Sequence, residues 1–467
     1  MRQFFLALIS TMLIFSCSQS RDEDFAEDFS NLKSQSLSGC DVYVAPSGDL
    51  SGVTDANNIE LALDEVKSCG GTVFLTDGNK SSVDHYYTSK NIVITGFQGV
   101  LTGESLKNTQ IHVVRKSASV GFEGAFSPWW SQTDSPYTLP TPTVFQLDNA
   151  AGDVIIRNLS IFVKDDQPSD IHPDYYGINT TCISTIIEIL GGEHNTCIEN
   201  IRIEGKETTA EGNVLGMNID VGIHVMLGSP VAGINDTGTL SIKNVEVENT
   251  GNGAILFMRF AAGSMVSVEN VRATNVGQGV YAGGIFDSQV NISDNYFSTH
   301  ATGYQGIALW NIPSGLQIVH NTIRESRYFG ISLWDNVHNA TVSDNTFIDL
   351  MKKLNFSAIL TYGSGNTFSL NDYRESKLPG WTDETNGPGA IILTASSSNN
   401  LVHEMKFPTG NFSLCEMISD RTDNPGTPEY DGLNNIHNYQ PCDNRASRNM
   451  AFEEEGLGFF AGYKHNP

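Results

Sequence analysis

One short pattern returns along most of this chain, and it restricts the fold more than anything else in the sequence. Seven segments carry it: Ile156-Arg157-Asn158-Leu159-Ser160-Ile161, Ile198-Glu199-Asn200-Ile201-Arg202-Ile203, Ile242-Lys243-Asn244-Val245-Glu246-Val247, Val268-Glu269-Asn270-Val271, Ile292-Ser293-Asp294-Asn295-Tyr296-Phe297, Ile318-Val319-His320-Asn321-Thr322-Ile323 and Val342-Ser343-Asp344-Asn345-Thr346-Phe347. From Asn244 the recurring Asn steps by 26, 25, 26 and 24 residues. A second motif runs in phase, from Gly222-Ile223-His224-Val225-Met226 through Gly253-Ala254-Ile255-Leu256-Phe257, Gly279-Val280-Tyr281-Ala282 and Gly306-Ile307-Ala308-Leu309-Trp310 to Gly330-Ile331-Ser332-Leu333-Trp334. Fainter echoes follow at Ser357 and Gly389. Alternating apolar residues bury one face of each short strand. A unit this small cannot close a core, but stacked units can, each strand pairing with one about 4.8 Å below. Asn tolerates the left-handed backbone of a tight bend. Asn270, Asn295, Asn321 and Asn345 are therefore expected in a single row up the stack.

The pattern resembles the right-handed parallel β-helix of the pectin-lyase-like superfamily. The expected fold is all-β: a single-stranded right-handed parallel β-helix over 39–415, clearest over 152–350, with an N-terminal capping helix. Ile59, Ala62, Leu63 and Val66 give residues 55–69 a helical apolar stripe. Gly70-Gly71 ends it and Thr72-Val73-Phe74-Leu75 starts a strand. That opening resembles many secreted β-helix polysaccharide enzymes, and the helix is placed to cover the open apolar end of the solenoid. Two insertions, 117–143 and 165–182, interrupt the coils, and 416–467 reads as an irregular tail packing on the solenoid.

Composition fixes the setting. Of 467 residues, 27 are basic and 53 acidic, a net charge of −26. Such a chain lacks the basic face that nucleic acid requires. Residues 1–16 read as a signal peptide, and Leu13-Ile14-Phe15-Ser16-Cys17 resembles a bacterial lipoprotein signal with Cys17 as the lipidated residue. The acidic tether 17–38 resembles the export signals of Bacteroidota surface lipoproteins. The expectation is an exported outer-membrane lipoprotein, surface-exposed, held to the membrane only through lipid on Cys17; a secreted or periplasmic protein is the alternative. The other six cysteines, Cys40, Cys69, Cys182, Cys197, Cys415 and Cys442, form three sequence-local couples. Neighbour pairing is one of fifteen connectivities open to them.

Alternation from Gly-Ile gives two expected outward columns on one face. One holds His224, Ile255, Tyr281, Ala308 and Ser332, and the other Met226, Phe257, Gly283, Trp310 and Trp334. Outward Trp310, Trp334 and Tyr281 suit stacking on sugar rings; cover by a loop is the plainer reading. His300, Tyr304, Arg324, Asp287 and Asp335 lie near in sequence and complete the candidate substrate-binding set. β-Helix lyases cleave uronate polymers by β-elimination, which needs a neutralised carboxylate, a base and an acid. His224, Arg259 and Arg327 fit those roles by residue type, without a motif. The Asn-Thr-Asp, Asp-Asp, Gly-His-Gly and Arg-Ile-Lys set of polygalacturonases is absent, as is the Trp-Ile-Asp-His segment of classical pectate lyases. Asp220-Val221-Gly222-Ile223-His224 has a faint likeness to the Asp/His strand of alginate epimerases. Asp165, Asp166, Asp170 and Asp174 offer hard oxygen ligands for Ca²⁺, or simply a solvated acidic loop. The expected partner is a polysaccharide, an acidic glycan, met by a monomer. Lyase, glycoside hydrolase using Asp287 and Asp335, and non-catalytic glycan binder or adhesin stand as three readings.

Overall fold

The computed structural model describes residues 40–78, 83–114, 143–163, 183–209, 215–227, 236–285, 287–300, 303–326, 329–350, 358–374, 391–394, 397–406, 418–420 and 436–437. They belong to the compact unit that begins at Cys40. The fold is a right-handed parallel β-helix, as the repeat predicts. Among the described residues its strands fall into a sheet of 19 and a sheet of 11, with a two-stranded antiparallel hairpin, Glu207–Thr209 with Leu215–Met217. A coil can be followed from Gln289–Ser293 through Tyr296–Thr299 in the larger sheet to Gln305–Trp310 in the smaller. Among the described residues the strands of the two large sheets pair in parallel with their counterparts one coil away, as Val280 with Ile307 and Ile307 with Ile331.

The core is a set of inward stacks. Ile223, Ile255, Val280, Ile307, Ile331, Ile359 and Ile391 lie in one register column, all buried. The recurring glycine before this column has a steric cause. A Cβ on Gly279, Gly306 or Gly330 would strike Phe297, Ile323 or Phe347, which reach across from the larger sheet. In one coil the slot is filled by Ala254, and there the residue opposite is the small Ala273, in register with Phe297 one coil later. This compensation shifts the expected alignment. Gly253 pairs with Val221, not with Gly222. Ile255 and Phe257 therefore point into the core, and Leu256 and Met258 take the outward places assigned to them.

The Asn row also differs from expectation, for it is two rows. Asn158, Asn200, Asn244 and Asn270 all have positive φ, and each later amide donates to the earlier one: Asn200 to Asn158 at 3.1 Å, Asn244 to Asn200 at 3.3 Å, Asn270 to Asn244 at 2.6 Å. The 25-residue step marks the change. Arg272 pairs with Tyr296, so Asn295 stands above Val271, and Val271 N donates to Asn295 Oδ1 at 2.8 Å. Asp294, His320 and Asp344 now take the left-handed bend. Asn295, Asn321, Asn345 and Asn371 run just inside it, buried, with donation reversed to point up the chain at 2.9, 3.0 and 2.9 Å. The solenoid itself does not depend on this detail, because the parallel ladder holds it.

The capping helix spans Val53–Val66, slightly earlier than its expected 55–69. Ala56, Ile59, Ala62, Leu63 and Val66 face the core. Asp55 in its first turn is fully buried and accepts from Ser47 N at 2.7 Å and Tyr87 N at 2.9 Å, which docks the helix to the first coil. Gly70 at φ 70° ends it, donating to Val66 O at 3.0 Å. Cys40 and Cys69 are disulfide-bonded, and Cys197 is disulfide-bonded as well. Cys17, Cys182, Cys415 and Cys442 lie outside the described residues, as do the tether and most of both insertions.

Candidate functional site

The smaller sheet carries the site on its outer face. Alternation along its strands creates two outward columns. Gln146, Glu188, His224, Leu256, Tyr281, Ala308, Ser332 and Leu360 form one. Asp148, Leu190, Met226, Met258, Gly283 and Trp310 form the other. The early coils of this face are polar and the later coils aromatic.

In the polar half, His224 Nδ1 lies 3.0 Å from Glu188 Oε1, and both side chains are fully buried. Thr143 Oγ1 donates to Glu188 Oε2 at 3.2 Å. A carboxylate in that place accepts Nδ1–H, which leaves Nε2 as the basic nitrogen of the ring. Next to them is Asp148, half-buried, with Gln146 Nε2 donating to both its oxygens at 3.2 and 3.0 Å. Desolvation pushes the Asp148 carboxyl up to about 6; the charge of Glu188 adds to the rise and the Gln146 hydrogen bond opposes it. Asp220 lies on the His224 strand, four residues back and so about 13 Å along it. Burial pushes its carboxyl up to about 7 against one hydrogen bond from Asn252. Carboxyls tuned toward neutrality are what acid–base chemistry uses.

In the aromatic half, the Trp310 ring lies across Gly283, where any Cβ would collide with the indole. Burial weakens the acidity of the Tyr281 hydroxyl, and the neighbouring Trp310 indole opposes that shift. Leu190, Val221, Met226, Leu256, Met258, Tyr281 and Ala308 pack beneath it. Trp334 stacks on Tyr362 of the next coil, with centroids 5.3 Å apart and planes 14° apart. Trp310, Trp334 and Tyr362 are each half-buried. Ser332 Oγ donates to Gln305 Oε1 between them. Arg259, also half-buried, sits at the exit of its strand with φ 67°, beside Gly284 at φ 66°. A left-handed Arg is held against a steric cost of order 1–2 kcal/mol.

The expected residues thus part company. His224, Tyr281, Trp310, Trp334 and Arg259 share this face. Arg324 does not: it lies on the larger sheet, between Ser298 and Ile348, bonded to Tyr296 and paired with Glu325 at 3.4 Å and Asp349 at 3.9 Å. The plain ion-pair reading applies to it. His300 is buried at a turn, its Nε2 3.2 Å from Gly251 O, and Tyr304 is buried too. Neither presents an open sugar-binding surface. Asp287 and Asp335 are exposed on turns beyond the strands, Asp287 accepting from Ser314 Oγ at 3.4 Å. Arg327 and the Ca²⁺ candidates Asp165, Asp166, Asp170 and Asp174 fall outside the described residues. Sequence reasoning passed over Asp148, Glu188 and Tyr362, and used Asp220 only as half of a faint likeness. Glu188 was findable, as the only charge in the apolar strand Ile183–Leu190.

A face of this kind belongs to a parallel β-helix, and comparison with known proteins agrees on the architecture. The family described as right-handed beta helix region matches residues 230–407. No curated protein matches the chain. Among solved structures, the catalytic domain of a GH87 alpha-1,3-glucanase in complex with nigerose is similar at 13% identity and TM-score 0.41, covering 79% of this chain; the chain spans only 59% of that domain. The A-module of mannuronan C-5 epimerase AlgE4 from Azotobacter vinelandii is similar at 12% identity, TM-score 0.33, covering 75% of this chain and 90% of the module. An endo-xylogalacturonan hydrolase from Aspergillus tubingensis is similar at 14% identity, TM-score 0.36, covering 81% and 95%. Likenesses of this order say nothing about substrate.

Proposed function

We propose that this protein acts on a polysaccharide and that its chemistry is β-elimination on a uronate-containing chain. One observation carries the reading: a single sheet face joins half-exposed Trp310, Trp334 and Tyr362 to the acid–base groups Asp148, Glu188 and His224. Sugar rings present apolar C–H faces that stack on indole and phenol. In the proposed step Arg259 neutralises the uronate carboxylate. His224, oriented by Glu188, takes the C5 proton, the C4–O bond breaks, and Asp148 gives its proton to the leaving oxygen. Asp148 and Arg259 are the groups a polymer reaches first; His224 is buried, so the proposed step requires the bound polymer to open the face above it. The protein works as a monomer outside the cytoplasm, anchored through lipid on Cys17.

Incubation with a panel of acidic polysaccharides, with and without Ca²⁺, is expected to release ultraviolet-absorbing unsaturated uronides. His224→Ala and Arg259→Ala are expected to abolish the release. With the Asp148 carboxyl raised to about 6, its protonated form, and so the rate, declines as pH rises past that value. A flat pH profile across 5 to 8 would remove Asp148 as the acid. A panel that yields no chromophore withdraws β-elimination. New reducing ends without chromophore would favour hydrolysis, which the raised Asp148 and Asp220 also suit; Asp287 and Asp335, two coils and about 10 Å apart along the axis, are then the exposed carboxylate pair to test. Retention of glycan without turnover would favour a binding protein.

A further inference from the structure

We propose that His85 and His112 form a surface site for a late first-row divalent cation, with Cu²⁺ preferred, on the outer face of the larger sheet. The proposal is independent of the glycan reading. His85 lies on strand Asp84–Thr88 and His112 on Thr109–Val113. The register sets Tyr87 opposite His112 and His85 opposite Gln110, so the two imidazoles are diagonal neighbours. Tyr86 and Ile111, with the opposite alternation, are in the core. His85 Nδ1 and His112 Nε2 are 2.8 Å apart.

The two rings differ in freedom. His112 is 4% exposed and lies between Tyr87, with centroids 5.2 Å apart, and Phe162, at 5.6 Å. Arg202 covers Phe162 in turn, 5.8 Å from the ring centroid. His85 is exposed and tilts 31° from the His112 plane. One nitrogen is fixed by stacking, and the other is on a side chain that can turn.

At present the nitrogens share a proton. Metal–imidazole bonds of about 2.0–2.1 Å at a right angle place two nitrogens about 2.9 Å apart, whereas a tetrahedral angle places them about 3.4 Å apart. The observed spacing fits cis positions of tetragonal Cu²⁺ or Ni²⁺ better than tetrahedral Zn²⁺. For the cation to enter, the shared proton moves to the remote nitrogen of whichever ring carries it, and the exposed His85 ring turns its Nδ1 lone pair toward the metal. Both rings stay neutral and no proton is released. Among the described residues no third His, Cys, Asp or Glu completes a cluster, so water fills the remaining positions. The expected order of affinity is Cu²⁺, then Ni²⁺, then Zn²⁺.

The test titrates the full-length chain with Cu²⁺ alone, by calorimetry and by electron paramagnetic resonance. His85→Ala is the informative variant, because His85 is exposed and its loss leaves the fold intact. His320→Ala, at another exposed histidine, is the control. The expected result is an axial spectrum with hyperfine structure from two nitrogens, at least a tenfold loss of affinity in His85→Ala, and no loss in His320→Ala. Equal Cu²⁺ affinity in the wild type and His85→Ala overturns the proposal. A one-nitrogen spectrum in the wild type overturns it as well.

Discussion

Asn321 shows how much one side chain does in this architecture. Its amide donates to Ile292 O at 2.8 Å and Asn345 Oδ1 at 3.0 Å, and its oxygen accepts from Asn295 N at 3.1 Å and Nδ2 at 2.9 Å, with no solvent exposure. Asn321→Ala removes these and strands buried groups on both neighbouring coils. A loss of about 2–4 kcal/mol is expected from urea unfolding, since each unsatisfied buried polar group costs about 1–3 kcal/mol. Asp220 acts in the opposite sense. Its folded pKa of about 7 lies above the ordinary 3.8, so the folded state holds the proton more tightly than the unfolded chain. The cost of ionising it is absent below pH 4, grows between 4 and 7, and is complete above 7. Asp220→Asn is therefore expected to raise Tm at pH 8 and leave it unchanged at pH 4, by calorimetry at both. Gly283 is a seat for an indole. Gly283→Ala is expected to expel Trp310 from the face, seen as a shifted tryptophan emission and weakened glycan binding, while the stacked Trp334 stays.

Among elements, the capping helix is the one that a solenoid cannot do without, because the first coil would otherwise present its apolar end to water. The helix is held by packing, by Asp55, and by the Cys40–Cys69 bridge at its C-terminal end, 29 residues apart in sequence. Closing a loop of that length limits the unfolded chain by about 3–4 kcal/mol. Cys69→Ser, which unlike reduction leaves the bridge at Cys197 intact, is expected to lower Tm accordingly and to raise protease sensitivity first near the N-terminal coils. The helix was legible from its apolar spacing. Its docking residue was not, since an Asp in a first turn ordinarily reads as a helix-dipole partner; only the tertiary structure brings Ser47 N and Tyr87 N to its oxygens.

At the scale of the whole molecule, charge decides how a substrate arrives. A net charge of −26 repels a polyuronate, and that repulsion reaches out to about 30 Å at about 0.01 M salt but only about 8 Å at about 0.15 M. Binding of an acidic glycan is therefore expected to strengthen as salt rises from about 10 to 150 mM, while binding of a neutral glycan stays level. Weakening with salt would instead mean that local cations such as Arg259 dominate the encounter.

The sequence by itself determined the solenoid, because a repeat of this length with alternating strands has one economical way to bury its apolar faces. It determined the capping helix and the aromatic side of the outer face for the same reason: periodicity is a local property that survives without coordinates. Register was beyond it. Whether Gly253 or Ala254 fills the slot beside the core column depends on Ala273 across the barrel, and that volume balance moved Ile255 and Phe257 inward. The change of Asn row above Asn270 turned on one residue of spacing. The polar cluster was hidden for a like reason. Asp148, Glu188 and His224 lie on three separate coils, 76 positions from end to end, and only stacking makes neighbours of them; burial then sets the acidity that no single strand reveals.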